Sequence, residues 1–303
     1  MRQIFMTFHK HSLAIFATHV AMSVLIALII TPICLWGIRL GVSLSGGAAL
    51  TDLDIARFLL SPLGLVVAPV IGALIVTAVM LELAAMLVVM RRGDTLGQTL
   101  RFLAGRLPRM LRFAGELILR VSVIVVPFAA VIALVVLPQI KEFDINYYLT
   151  FRPTEFTRAL LMAAPVALAL LGTLIWCLSG WVLGLPLILF TDTPAKACFG
   201  KSADMTKGHR LSVCLTLVSW ATLMVLVAAA VSFGMRAIII GLMPPITAGL
   251  LVVSLLALVA LVLWSLANLL IGAIGVGLLA TSIDALFRRV MPLRSMQRPV
   301  HGV

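Results

Sequence analysis

Residues 190–210 read FTDTPAKACFGKSADMTKGHR, and they stand between two stretches with hardly a charge in them. Lys196, Lys201, Lys207, His209 and Arg210 arrive here together with Asp192 and Asp204, whereas residues 159–190 and 211–233 are rich in Leu, Ala and Val. Water cannot be the main solvent of such flanks. As helices rising about 1.5 Å per residue, each is long enough to cross the roughly 30 Å hydrocarbon core of a bilayer. The polar insert is therefore a loop between two crossings, and the same alternation runs along the whole chain.

Of 303 residues, 62% are hydrophobic and 11% charged, against roughly a quarter charged in soluble domains. Six apolar runs qualify as spans, at residues 13–36, 63–90, 115–137, 159–190, 211–233 and 248–286. Strict polar–apolar alternation is absent, which excludes an outer-membrane barrel. The expected fold is all-α, a polytopic helical membrane bundle of about six transmembrane helices with cytoplasmic amphipathic helices. Residues 1–290 are expected to form a single transmembrane domain and 291–303 a short cytoplasmic tail. The first run is too long for a signal-peptide core and has no small-x-small cleavage site after it, so it reads as a retained anchor. The fourth and sixth runs exceed one crossing. Either they tilt, or they break near Gly184-Leu185-Pro186 and near residues 272–277.

Orientation follows from the basic residues. With six spans, both termini and the second and fourth loops share a side, and that side holds most of the 23 Lys and Arg. The opposite loops hold Arg39, Arg57, Lys141, Arg152, Arg158 and Arg236, offset by Asp52, Asp54, Glu142, Asp144 and Glu155. The positive-inside rule places the richer side in the cytoplasm. The net charge of +12 is thus a topology signal. No aromatic interleaving or binding motif points to nucleic acid.

Residues 194–207 have the pattern of an amphipathic helix. Thr193-Pro194 supplies a hydroxyl cap and a proline start, and Gly208 a stop. At 100° per residue, Ala195, Cys198, Phe199, Ser202, Met205 and Thr206 fall on one side, and Lys196, Lys201, Asp204 and Lys207 on the other. Residues 95–107, TLGQTLRFLAGRL, repeat the design. Thr95 and Gln98 have capping-box spacing, Leu96, Leu100, Leu103 and Leu107 share a face, Arg101 and Arg106 share the polar side, and Pro108 is expected to end the helix. Arg101, Arg106, Arg109, Lys196, Lys201, Lys207 and Arg210 are accordingly the candidate residues for docking anionic lipid headgroups or a partner protein. On the other side, residues 51–62 can form a short interfacial helix, and Tyr147 and Tyr148 mark the headgroup level.

Ionisable groups inside spans point to function because each is costly there. Glu82 and Arg120 are the candidate intramembrane polar pair, and Glu116 stands four residues before Arg120 on the same helix. Asp284 is expected to reach water or Arg288. The cluster His9, His11 and His19 reads as an interfacial anchor. Cys34, Cys177, Cys198 and Cys214 show no metal-ligand spacing and read as reduced packing residues. No metal, cofactor or catalytic constellation is expected: GxSxG, HExxH and P-loop motifs are absent.

The quoted stretch also resembles a family. Leu185-Pro186-Leu187, then Pro194-Ala195, Ser202, Thr206-Lys207-Gly208 and Arg210 before the next span, is similar to the membrane domain at the N-terminus of certain bacterial glycerophosphoryl diester phosphodiesterases, as is RLPRML at residues 106–111. In the two-part enzymes a soluble TIM-barrel phosphodiesterase follows, whose site is expected to start with His-Arg-Gly and to use acidic residues for a divalent metal. Here His209-Arg210 is followed by Leu211, so no residue inherits a catalytic role. The resemblance implies a non-enzymatic, multi-pass module of the bacterial inner membrane. Its partners are expected to be membrane lipids, anionic on the cytoplasmic side, and a separate protein. A transporter or permease subunit using Glu82 and Arg120, and an envelope scaffold, are the alternatives.

Overall fold

The computed structural model describes residues 2–44, 61–136, 138–139, 145–242 and 250–290. Regular structure among these residues is helical throughout. Helix α1 (Arg2–Leu25) passes through a π turn, Ile26–Ile30, into α2 (Thr31–Leu44). The extra residue of that turn precedes Pro32, whose ring would collide with the carbonyl four residues back, and Thr31 donates its N–H to the Ile26 carbonyl instead. Helix α3 (Pro62–Arg92) opens on a proline, with Ser61 Oγ accepting from the Gly64 N–H at 3.0 Å. It closes at Gly93, whose φ of 67° supplies the left-handed stop.

Helix α4 (Leu96–Val136) begins at the expected capping pair, where the Thr95 N–H donates to Gln98 Oε1 at 3.0 Å. Its far end corrects the sequence reading. Pro108 does not terminate a separate surface helix, and the chain stays helical through Pro108 and Pro127. One missing backbone hydrogen bond at each proline is tolerated when the flanking turns are strongly helix-forming. After α5 (Ile145–Phe151) and α6 (Thr154–Trp181), the chain turns at Val182-Leu183 into α7 (Gly184–Phe190). Helices α8 (Ala195–Met205), α9 (Arg210–Leu242) and α10 (Leu250–Val290) follow.

Among the described residues, six helical stretches are long and apolar enough to cross a membrane: Leu13–Gly37, Val66–Arg92, Leu96–Val136, Thr154–Phe190, Arg210–Gly241 and Val252–Val290. Outward side chains such as Val123, Leu134, Leu168 and Phe233 are largely exposed, as a lipid-facing surface requires. The protein is an all-α polytopic membrane bundle. Of the two expected breaks, the fourth run has one, between α6 and α7, and the sixth has none. Most of the interfacial helix expected at 51–62, and the tail at 291–303, lie outside the described residues.

The chain divides into two compact units. One comprises Met1–Val24, Leu81–Ala104 and Leu211–Val303, and the other Leu25–Met80 and Gly105–Arg210. In the first, Asp284 on α10 accepts from Arg288 at 2.6 Å and lies 3.4 Å from Arg91 on α3, whose guanidinium also covers the Phe287 ring at 4.8 Å. The second is organised around the break in the fourth crossing.

Candidate functional site

Pro186 explains where the fourth crossing breaks. It has no N–H to give to Val182, and its ring crowds that carbonyl, so the helix stops a turn earlier and restarts at Gly184. Breaking a helix within a span orphans a donor and an acceptor, and in hydrocarbon each must find a partner. One side chain serves both. Ser202, fully buried on α8, donates its hydroxyl to the Gly180 carbonyl at 2.7 Å and accepts from the Leu183 N–H at 3.1 Å.

The rest of the motif holds Ser202 in place. Thr206 bonds back to the Ser202 carbonyl at 3.1 Å, and Gly208, at φ 82°, turns the chain toward α9. Arg210 then donates two hydrogen bonds to the Trp176 carbonyl, at 3.1 and 2.8 Å, with its guanidinium 4.4 Å over the Trp176 ring. Gly180 makes room for it, since a Cβ there would lie 2.8 Å from Arg210 Nη2. Phe199 completes the clamp. It is buried, stacks on Phe113 at 4.5 Å, meets Trp181 edge-on at 5.5 Å and carries the Arg120 guanidinium at 4.4 Å. Gly184 lies against this stack, because a Cβ there would come within 2.7 Å of the Phe113 ring.

Helix α8 is two-faced as the wheel requires, though it starts one residue later than expected, with Pro194 in the cap position, and is shorter. Cys198, Phe199 and Ser202 are buried, while Lys196, Lys201 and Asp204 are exposed. The face that the sequence would lay on lipid is packed against α6 and α7. Burial pushes the Cys198 thiol up to about 11, against a smaller opposing pull from Lys201.

The candidate cations separate into two groups. Arg106 and Arg210 are tied to helix ends: Arg106 donates to the Ile188 carbonyl at 3.4 Å and lies 3.9 Å from Asp192, beside Arg109 at 3.2 Å from the same carboxylate. Lys196, Lys201 and Lys207 stay on the surface, with contacts to Glu116 at 3.9 Å, Thr193 Oγ1 at 3.3 Å and Asp204 at 2.6 Å. Arg101, on the other unit, is exposed.

The two candidate intramembrane charges belong to different units. Within the first, Glu82 is hydrogen-bonded to His19 Nδ1 on α1; within the second, Arg120 lies over the Phe199 ring. His19 was read as an interfacial anchor, yet it is buried, and Gly272 on α10 leaves space for its ring, with Nε2 2.9 Å from where a Cβ would stand. Sequence reasoning also missed Ser202 as a hydrogen-bonding centre. The available signal was a hydroxyl on the apolar side of an otherwise amphipathic helix.

These features define a class: a six-span helical membrane protein with a proline-broken fourth crossing, held by the helix that follows it. Residues 1–283 match the family model of the membrane domain of glycerophosphoryl diester phosphodiesterase, and the chain belongs to that family. No curated protein and no solved structure matches it.

Proposed function

We propose that the chain is a non-catalytic membrane module which anchors a separate protein, or presents lipid or glycerophosphodiester-like substrates to it, from a bacterial inner membrane with both termini in the cytoplasm. The observation that carries this reading is the exposed row Lys196, Lys201 and Lys207 on a segment whose other side is fixed by Ser202, Phe199 and Arg210. A cationic row on a rigid support presents charge in a set geometry, as recruitment of an acidic surface or of anionic headgroups demands. The family supports it too, since its model describes the membrane domain of a glycerophosphoryl diester phosphodiesterase.

The test is triple charge reversal, Lys196→Glu, Lys201→Glu and Lys207→Glu, followed by co-purification with identification of bound lipid and protein. Loss of a co-purifying species from a variant that remains folded supports the module. An unchanged set of bound species removes it.

A second reading, a transporter or permease subunit, has one observation in its favour: the His19–Glu82 hydrogen bond inside the spans. Movement of a solute by the reconstituted protein, abolished by Glu82→Gln, would establish it in place of the first.

A further inference from the structure

Helices α9 and α10 meet closely at Gly275. Trp220 donates its indole N–H to the Gly275 carbonyl at 2.8 Å, and the Met224 sulfur lies 2.6 Å from where a Gly275 Cβ would stand. Toward the far end of α9 the same two helices bound a groove of about 720 Å³. Ser232, Arg236 and Ile239 line it from α9, and Leu256, Ala260 and Trp264 from α10. Spacings of three and four put each trio on one helix face. From Val253 to Trp264 the wall runs about 16 Å, roughly half the hydrocarbon thickness and so the depth of one leaflet.

Arg236 gives the groove its chemistry. It lies near the end of the Arg210–Gly241 crossing, is exposed, and makes no ion pair among the described residues. From Met205 to Ile283 the sequence contains no Asp or Glu, so neither wall of the groove can supply a carboxylate. A guanidinium at that depth needs an anion, and its reach allows it to meet one at headgroup level. Planar N–H donors match phosphate oxygens in pairs.

We infer that this groove is a binding site for one anionic phospholipid, its phosphate on Arg236 and one acyl chain along Leu256, Ala260 and Trp264. A zwitterionic lipid is disfavoured because its ammonium group would add a second cation beside Arg236. The site is independent of the lysine row on α8 and stands whether or not that row docks a partner. It lies at the opposite end of α9 from Arg210, and therefore draws on the other leaflet.

Trp264 reports occupancy directly. The full chain is reconstituted into phosphatidylcholine vesicles with a fixed fraction of either acyl-brominated phosphatidylglycerol or acyl-brominated phosphatidylcholine. Fluorescence quenching is then compared with that of Trp264→Phe to isolate the Trp264 share. The expected result is several-fold stronger Trp264 quenching by the anionic lipid, reduced to parity in Arg236→Gln and largely kept in Arg236→Lys. Arg236 is exposed, so these variants leave the fold intact, and circular dichroism confirms it in each. Equal quenching by both lipids in the unsubstituted chain overturns the proposal, since it means bulk lipid contact alone. Protection from both lipids, with a dimer trapped by cross-linking, overturns it in favour of a second copy on the groove.

Discussion

The fourth and sixth crossings both outrun a bilayer, and both carry residues that weaken helices. In the fourth, Gly184 and Pro186 accompany a break at Val182-Leu183, and in the sixth Gly272, Gly275 and Gly277 lie within an unbroken helix, Leu250–Val290. The difference is one of hydrogen bonds. Proline deletes a donor and crowds an acceptor. The helices absorb this at Pro108, Pro127 and Pro165, but at Pro186 the break comes with a glycine at position 184 and with Ser202 to take up the freed groups. Glycine keeps both groups, and inside a membrane an intact ladder outweighs its backbone entropy cost of about 1 kcal/mol. The sixth crossing therefore uses its glycines for close approach, by His19 at Gly272 and by Met224 at Gly275. The fourth recruits Ser202 to satisfy the Gly180 carbonyl and the Leu183 N–H left free at the break.

The largest expected effect falls on the clamp. Phe199→Ala removes a fully buried ring from between Phe113 and Trp181, and is expected to destabilise the protein by about 3–5 kcal/mol, measured by unfolding in detergent micelles. Next comes a direct contest of hydroxyls. Ser202→Ala orphans two buried backbone groups and is expected to cost about 2–4 kcal/mol. Thr281→Val removes a hydroxyl that bonds back to the Gly277 carbonyl within an unbroken helix, and is expected to cost under about 1 kcal/mol. Equal losses would falsify the distinction between the two crossings.

Smaller effects sharpen it. Gly184→Ala drives a methyl into the Phe113 ring, which is held by its stack on Phe199, and is expected to cost about 1–3 kcal/mol. Gly275→Ala meets only the end of Met224, a flexible side chain that can turn aside, and is expected to cost less than Gly184→Ala in the same assay. The smallest change is in pH response. The folded thiol of Cys198 is raised from 9.0 to about 11, so the folded state favours its protonated form. That contribution to stability is complete below pH 9 and is lost as pH climbs from 9 toward 11. Alkylation of Cys198 in the folded protein should therefore be slow at neutral pH and accelerate only as the pH approaches 11, whereas the unfolded chain reacts readily near pH 9.

Much of this was open to reading in the residues. Span number, the capping pair at Thr95 and Gln98 and the two faces of α8 rest on composition and short-range spacing; for the fourth run the sequence offered a break near Pro186 only as the alternative to tilt. Other features were not legible. Pro108 looked like a terminus because propensity counts its missing bond, but not the turns on either side that carry the helix across it. Ser202 looked like one more residue on a helix face, because its partners Gly180 and Leu183 lie about twenty residues earlier, at a break whose existence the sequence left open. His19 and Glu82 stand on different helices, and nothing in their local sequence names one as the other's neighbour.

By itself the sequence determined the solvent, the helical class and the six crossings, since all of these follow from composition and hydrophobic length; that the fourth run breaks and the sixth does not was decided by the structure. Tertiary structure alone decided which polar groups meet across helices: Ser202 with the broken ends, His19 with Glu82 and Arg120 with Phe199. The physical reason is that in an apolar medium every polar group must be satisfied, while the choice among possible partners depends on helix rotation and approach, which no short stretch of sequence encodes.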